Sequence, residues 1–371
     1  MQPILQILQD KLNKRIEEGL YRELKDYSAF CDFSSNDYLG FSRDEKELTQ
    51  FGSTGSRLIS GNTSDIERLE LEIANFHQAE SGLIFSSGYV ANLGLFSTIP
   101  NRGDTVIYDE LIHASIRDGI RLSNADSFSF KHNNVQHLEE RLSKSKGNIF
   151  VAVESIYSMD GDSPDLLKIS KACKNFGANL IVDEAHAIGV VGDKGDGLVA
   201  KLHLQKEVFA TIVTFGKALG CHGAIVLGDY ILRNYLINYC RSFIYTTAPS
   251  PETIITIRNQ YHKLTKLYKS NISEQLLALE LKNYFIIKVG ASIELITGAY
   301  GSVVSVIIPG SENVRKVSNN LKENGLYVKE ILSPTVPKGA ERLRICFHSY
   351  NSLKEVDKLI ECLNKTINLT K

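Results

Sequence analysis

The chain has 371 residues, 43% hydrophobic and 23% charged, with 42 basic and 43 acidic side chains for a net charge of −1. That length exceeds what one hydrophobic core usually serves, so roughly two or three subdomains are expected. The balanced charge provides no field for nucleic acid or an anionic membrane, which sets aside a non-specific polyanion binder.

Six cysteines (Cys31, Cys173, Cys221, Cys240, Cys346, Cys362) are scattered without a Cys-x-x-Cys pair. Reduced, mostly buried thiols fit this spacing better than a disulfide framework or a zinc site, and they point to the cytoplasm and to no metal. Met1-Gln2-Pro3-Ile4-Leu5 carries no basic leader. No apolar run reaches membrane-spanning length, so neither export nor insertion is expected.

Taken in order, Leu5, Leu8, Leu12, Ile16 and Leu20 recur at helical spacing. They predict an amphipathic docking arm within an N-terminal helical segment over 1–40. Gly52 to Gly61 places three glycines and four hydroxyls in ten residues, the composition of a loop whose backbone approaches something closely, or simply of a mobile loop. Ile66, Leu69, Ile73 and Phe76 lie on one face of a predicted helix over 64–77, with Ser64 and Glu67 spaced as a capping box. Leu83-Ile84-Phe85 then reads as a strand running through Ser86-Ser87-Gly88-Tyr89 into a helix over 90–97. Such a strand, small-residue turn and helix start would gather backbone N–H groups at one point, ready for a phosphate, or form an ordinary tight turn.

The apolar runs 105–108, 149–153, 180–182, 211–214 and 224–227 alternate with helix-like segments. This predicts βαβ units and an α/β domain over 41–250 built on a mainly parallel central sheet flanked by helices. The texture changes after Pro249 and Pro251. A small C-terminal α+β domain is expected over 251–371, with strands at 303–308, 327–331 and 343–347, a helix at 311–323 and a capped helix from Ser352. There is no internal repeat and no low-complexity tract.

Two of the apolar runs end in reactive clusters, Asp183-Glu184-Ala185-His186 and Thr214-Phe215-Gly216-Lys217. In open α/β sheets the ligand crevice lies outside the carboxyl ends of the strands, so Asp183, His186 and Lys217 are expected to converge. Asp-Glu-Ala-His at a strand end also suits a nucleotide motor. A P-loop, however, requires a glycine where Thr211 stands and a Ser or Thr where Ala218 stands, and no other Gly-Lys-Ser/Thr exists. The alternative is pyridoxal 5'-phosphate, whose chemistry wants one lysine to hold it and one carboxylate against its ring nitrogen. Asp183 would keep that nitrogen protonated, and His186 would meet the phenolic oxygen. Lys217 would move the substrate proton, a role worth about 10²–10⁴-fold in rate. Alone, each would read as a surface lysine or a satisfied core histidine; together with the phosphate-ready turn they favour the cofactor.

Ser34-Ser35-Asn36-Asp37-Tyr38-Leu39-Gly40, His113-Ala114-Ser115, Ser158-Met159-Asp160-Gly161-Asp162, Val182-Asp183-Glu184-Ala185-His186 and Thr214-Phe215-Gly216-Lys217 occur in this order. With them the chain resembles, over nearly its whole length, the α-oxoamine synthases. These are fold-type-I pyridoxal phosphate-dependent transferases that condense an amino acid with an acyl thioester and lose CO₂. The resemblance implies that Lys217 is the Schiff-base lysine, Asp183 the ring-nitrogen partner, His186 the phenolate-oxygen partner and His113 the residue stacked on the ring, with Lys217, His113 and Asp183 catalytic. It further implies that Gly88, Tyr89 and Thr214 receive the phosphate, that Ser158 contacts the cofactor, and that Thr246 reaches in from the neighbouring subunit of a homodimer with shared sites. Arg344 matches the arginine that grips the amino-acid carboxylate through two parallel hydrogen bonds. Asn36, Arg22 and Thr335 match positions on the substrate side.

Within the family, the Thr-Phe-Gly-Lys form, Phe243-Ile244-Tyr245-Thr246-Thr247 and Pro334-Thr335-Val336-Pro337 are most similar to members that condense L-alanine with a pimeloyl thioester in biotin biosynthesis. Members using glycine with a short acyl group or serine with a long one are the alternatives, as is a silent partner subunit, which would lack the lysine. Three positions depart from the family: Ile66 where histidine is usual, Asp196 where arginine is common, and Leu332 where the bacterial biotin enzymes carry arginine. Another basic group is then expected to meet the far carboxylate of the acyl chain.

Overall fold

The protein is described from a computed structural model, which covers residues 55–269, 274–290 and 293–367, together with 13–14, 16–19, 31–33 and 52–53. Most of the expected N-terminal arm and the whole 34–40 motif, with Arg22 and Asn36, lie outside the described residues.

In chain order the strands are Cys31–Asp32 (β1), Ser81–Phe85 (β2), Thr105–Asp109 (β3), Asp126–Phe130 (β4), Ile149–Glu154 (β5), Asn179–Asp183 (β6), Val208–Thr214 (β7), Ala224–Gly228 (β8), Leu295–Ile296 (β9), Val303–Ile307 (β10), Leu326–Tyr327 (β11), Lys329–Ile331 (β12) and Arg342–Cys346 (β13). Seven of them form one sheet in the order β2-β8-β7-β6-β5-β3-β4. β4, β3, β5, β6 and β7 are mutually parallel, while β8 runs antiparallel to both β7 and β2.

The apolar runs become strands because both faces of this sheet are covered. Leu180 and Val182 enter one core with Val151 and Val153, and Ile181 enters the other with Phe150 and Ala152. Burying one such side chain stabilises by about 1.5–3 kcal/mol, which fixes the strands while their polar tips stay outside the apolar layers. β4 has no counterpart among the predicted strands. It is the sheet edge, where only Phe130 is buried, so it carries no apolar run.

The helix Ser64–Phe76 forms as its apolar face predicts, but its cap is one residue earlier. Thr63 is extended and its hydroxyl accepts the Ile66 N–H, while Glu67 takes a hydrogen bond from Asn62 Nδ2 at 2.8 Å. The helix Gly88–Thr98 begins directly after β2, with Ser87 Oγ accepting the Val90 N–H at 3.2 Å.

The C-terminal part is a second unit: an antiparallel sheet in the order β12-β13-β10-β9, with the helices Glu274–Val289, Ser311–Glu323 and Leu353–Ile367 sharing one core. β1 pairs with β11, and Phe33 is buried there against Phe347. The helix Pro251–Lys269, which composition had grouped with this unit, instead packs Ile254, Ile257, Tyr261 and Leu264 into the core of the large sheet. Their spacing leaves one apolar stripe, and the large sheet is what that stripe covers. No described helix is long and apolar enough to cross a membrane.

Candidate active site

β5, β6 and β7 end in Glu154, Asp183 and Thr214, and the register places Glu154 opposite Asp183 and Asp183 opposite Ile212. A cavity of about 230 Å³ opens at these strand ends. Gly88, Tyr89, His113, Asp183, Thr214 and Lys217 all stand on its wall, as the sequence predicts. Asn92, Ser115, Glu154 and His222 stand there too and were not foreseen. Glu154 obeys the rule that singled out Asp183, a carboxylate directly after a buried apolar run, and could have been found by it.

Asp183 is held rigidly. Its Oδ2 accepts from Asn92 Nδ2 at 2.7 Å and its Oδ1 from the Ala185 N–H at 2.9 Å. Asn92 also donates to Ser115 Oγ, which lies 2.7 Å from His113 Nδ1. The Ser115 N–H points at the same ring nitrogen, so Nδ1 is the acceptor and the ring proton sits on Nε2. One hydrogen-bonded chain therefore runs from the His113 ring to the Asp183 carboxylate.

Burial governs the charges. It lowers Lys217 to about 8, against the pull of Asp183 and Glu154. It raises Glu154 to about 8, with Asp183 adding to the effect, so Glu154 is a neutral acid at physiological pH. Burial lowers His113 despite the opposing field of Asp183, and it takes His186 well below its ordinary value with Lys217 and Arg344 reinforcing. Burial thus holds both imidazoles toward the neutral form, and the Lys217 amine lies within the electrostatic reach of Asp183 and Glu154.

The rim of the cavity is an anion seat. Gly88 lies so close to β7 that a Cβ there would run into Cγ2 of Thr214. Thr214 Oγ1 is buried without a hydrogen-bond partner among the described residues. A helix N-terminus beside an unpaired hydroxyl suits a phosphate, because free N–H groups and the helix dipole both favour negative charge. The amine of Lys217, the anchored carboxylate of Asp183 and the neutral ring of His113 complete what pyridoxal phosphate requires, and the residues fit the group.

The remaining predicted positions are not on the described cavity wall. His186 is buried in the turn after β6. The Ser158 carbonyl accepts Arg344 Nε at 2.6 Å, so Arg344 is set from β13 and lies within electrostatic reach of Lys217. Thr246 is half-buried beyond the helix Arg241–Ile244 and Thr335 is exposed beyond β12; neither is on the described cavity wall. Glu184 does structural work, its Oε1 accepting the Leu198 and Val199 N–H groups. Of the departures, Ile66 and Asp196 are buried, and Leu332 packs against the C-terminal core.

The family model for aminotransferase class I and II matches residues 29–363. The chain is similar to an 8-amino-7-oxononanoate synthase of Emericella nidulans, 39% identical with 96% of this chain and 94% of that protein covered. It is 36% identical to one of Lysinibacillus sphaericus, with 94% and 95% covered. Among solved structures, an 8-amino-7-oxononanoate synthase from Francisella tularensis superposes with a TM-score of 0.79 at 27% identity, covering 92% of this chain and 99% of that one. A serine palmitoyltransferase from Sphingomonas wittichii gives a TM-score of 0.87 at 24% identity, covering 100% and 98%, a likeness of fold.

Proposed function

This chain belongs to the aminotransferase class I and II family and, within it, to the α-oxoamine synthases, and we propose on that premise that it is an 8-amino-7-oxononanoate synthase. It condenses L-alanine with a pimeloyl thioester and releases CO₂, a decarboxylating C-acyl transfer in biotin biosynthesis. One observation carries the reading: Lys217 and the doubly anchored Asp183 face the same cavity, and its rim is an anion seat.

Pyridoxal phosphate, when bound, supplies the electron sink that makes a carbanion next to the substrate nitrogen attainable. Lys217 holds the cofactor covalently through Nζ and, when free, takes and returns the Cα proton, for which a pKa of about 8 is well matched to neutral pH. Asp183 would hold the pyridine nitrogen, His113 would cover the ring, and Thr214 with the N-terminus of the helix Gly88–Thr98 would hold the phosphate. His186 meets the phenolic oxygen and Ser158 supports the cofactor. Arg344 takes the alanine carboxylate and so fixes which bond at Cα is presented for cleavage. Arg22, Asn36 and Thr335 serve the substrate side. The enzyme works as a homodimer in the cytoplasm, with Thr246 offered to the neighbouring site; the exposure of Ile231 at 75% and Tyr245 at 73% supports that assembly.

The test is to incubate the purified protein, loaded with pyridoxal phosphate, with the coenzyme A thioester of pimelate and each of alanine, glycine and serine. Mass spectrometry should find 8-amino-7-oxononanoate with alanine. Product from glycine or serine in place of alanine would overturn the substrate assignment, and retention of the visible chromophore and activity in Lys217→Ala would overturn the chemistry.

A further inference from the structure

His132 lies outside the catalytic cavity and carries none of the chemistry described above, yet it is bound at every polar edge. Its Nδ1 donates to Asp109 Oδ1 at 2.9 Å and its Nε2 to Asp162 Oδ2 at 2.8 Å. Two ionised carboxylates can each accept only if both ring nitrogens carry a proton, so the ring is an imidazolium. Burial opposes that charge, but the hydrogen bonds the ring donates to Asp109 and Asp162 outweigh it and raise the group to about 10. The Tyr157 ring stands edge-on against the imidazole at 4.5 Å.

The two carboxylates belong to different parts of the site. Asp109 is fully buried at the end of β3. Asp162 closes the 158–162 turn, which is drawn tight by the Tyr157 N–H bonded to the Asp162 carbonyl and the Gly161 N–H bonded to the Tyr157 carbonyl, both at 2.9 Å. That turn is the seat of the C-terminal sheet. Met159 O accepts from Ser305 Oγ at 2.8 Å, Asp160 pairs with Arg342, and Ser158 O accepts Arg344 Nε. Gly161, at φ 68°, lies so close to β10 that a Cβ would come 2.8 Å from the Val303 carbonyl oxygen.

We propose that His132 is a positioning residue for the amino-acid substrate: it clamps the 158–162 turn to the end of β3, and through the Ser158 carbonyl that turn sets the guanidinium of Arg344. The inference rests on Arg344 being the carboxylate-binding residue of the proposed function. The ring bridges the buried carboxylate at the end of β3 and the half-buried carboxylate of the turn, a link between the two that the turn's own backbone bonds do not supply. A small shift of Ser158 O is passed to a side chain whose task is to hold a substrate in one orientation.

The experiment is a double-mutant cycle on the loaded enzyme with His132→Gln, Arg344→Ala and the pair. His132→Gln should lower kcat/KM for the amino acid by about tenfold while cofactor retention stays within about twofold of the parent. In the Arg344→Ala background it should add no further loss. In the cofactor-free protein, His132→Gln should speed hydrogen exchange at the Tyr157 and Gly161 amides while the β6 amides keep their protection. If Arg344→Ala leaves KM for the amino acid unchanged, the assignment of Arg344 fails and takes this inference with it. If Arg344→Ala has its effect but the losses multiply in the pair, or cofactor retention falls together with amino-acid affinity, the inference alone is overturned.

Discussion

Glu154 and Asp183 are register partners at the ends of two parallel strands, so two carboxyl groups share one polar cap beside the single amine of Lys217. Burial is the larger reason that one of them keeps its proton, the neighbouring carboxyl adds to it, and the one with fewer donors gives way. Asp183 accepts two N–H groups, whereas Oε1 of Glu154 has no hydrogen-bond partner among the described residues. The result is a division between the two: Asp183 is anchored by its two donors, and buried Glu154, raised to about 8, keeps its proton.

That division has a signature in stability. Glu154 is lifted from 4.5 to about 8, so the native protein keeps a proton that the unfolded chain releases above pH 4.5. The Glu154 contribution to native stability therefore declines as pH rises from about 4.5 to about 8 and then levels. Glu154→Gln removes the effect without changing shape. In the cofactor-free form the variant should melt higher than the parent at pH 8, with the difference closing at pH 5. Lower melting at both pH values would show that Glu154 is ionised in the folded state.

Glu154 also marks what the sequence conveys. Apolar runs buried on both faces of a sheet announce themselves, so β5, β6 and β7 and the polar tips of β6 and β7 are legible, as is the lysine after Thr214-Phe215-Gly216, whereas Glu154 at the tip of β5 obeys the same rule and was passed over. β4 is not legible, because an edge strand with only Phe130 buried has no such run. Asn92 and Ser115 were passed over because their importance lies in reaching Asp183 and His113 from separate helices, and no local pattern encodes that distance. The cap of the helix Ser64–Phe76 fell on Thr63 because two adjacent hydroxyls compete for it, and backbone geometry decides between them.

At the anion seat the decisive contact is Gly88 against Thr214. Gly88→Ala places a methyl group where Cγ2 of Thr214 already stands, and overpacking of this kind costs about 1–3 kcal/mol. Because the displaced groups are the seat itself, affinity for pyridoxal phosphate should fall about tenfold or more, the binding counterpart of a loss within that range. Equilibrium dialysis of the cofactor from parent and variant checks this. Unchanged retention with intact melting would mean that the phosphate sits elsewhere.

A third test concerns the glycine-rich segment. Arg57 holds Glu70 through Nη1–Oε1 at 2.6 Å, Arg233 Nη2 reaches Oε2 at 2.9 Å, and the Ile84 N–H of β2 joins Oε1 at 2.9 Å. Glu70 is thus a buried hub tying the 57–61 segment, the helix Ser64–Phe76 and β2 together. Glu70→Gln leaves two guanidinium groups without their counter-charge, and breaking a buried pair this way costs about 3–5 kcal/mol. Urea unfolding of the variant should show a loss of that order. A loss under about 1 kcal/mol would place the arginines in solvent contact, as for an exposed ion pair.

The imidazolium of His132 predicts a loss of stability at alkaline pH. Asp109, Asp162, Glu110 and Tyr157 face its residue from β3, its flanking loop and the 158–162 turn. The pKa rises from 6.5 to about 10 on folding, so the native state holds a proton that the unfolded chain gives up above pH 6.5. The stabilisation is complete below pH 6.5 and disappears as pH rises through about 10. The parent should lose unfolding free energy steadily across that window, whereas His132→Gln, which carries no titrating proton there, should start lower at pH 6.5 and show a flatter profile. Urea titrations of both proteins at pH 6.5, 8 and 10 decide it: parallel profiles would mean that the ring is neutral between its two carboxylates.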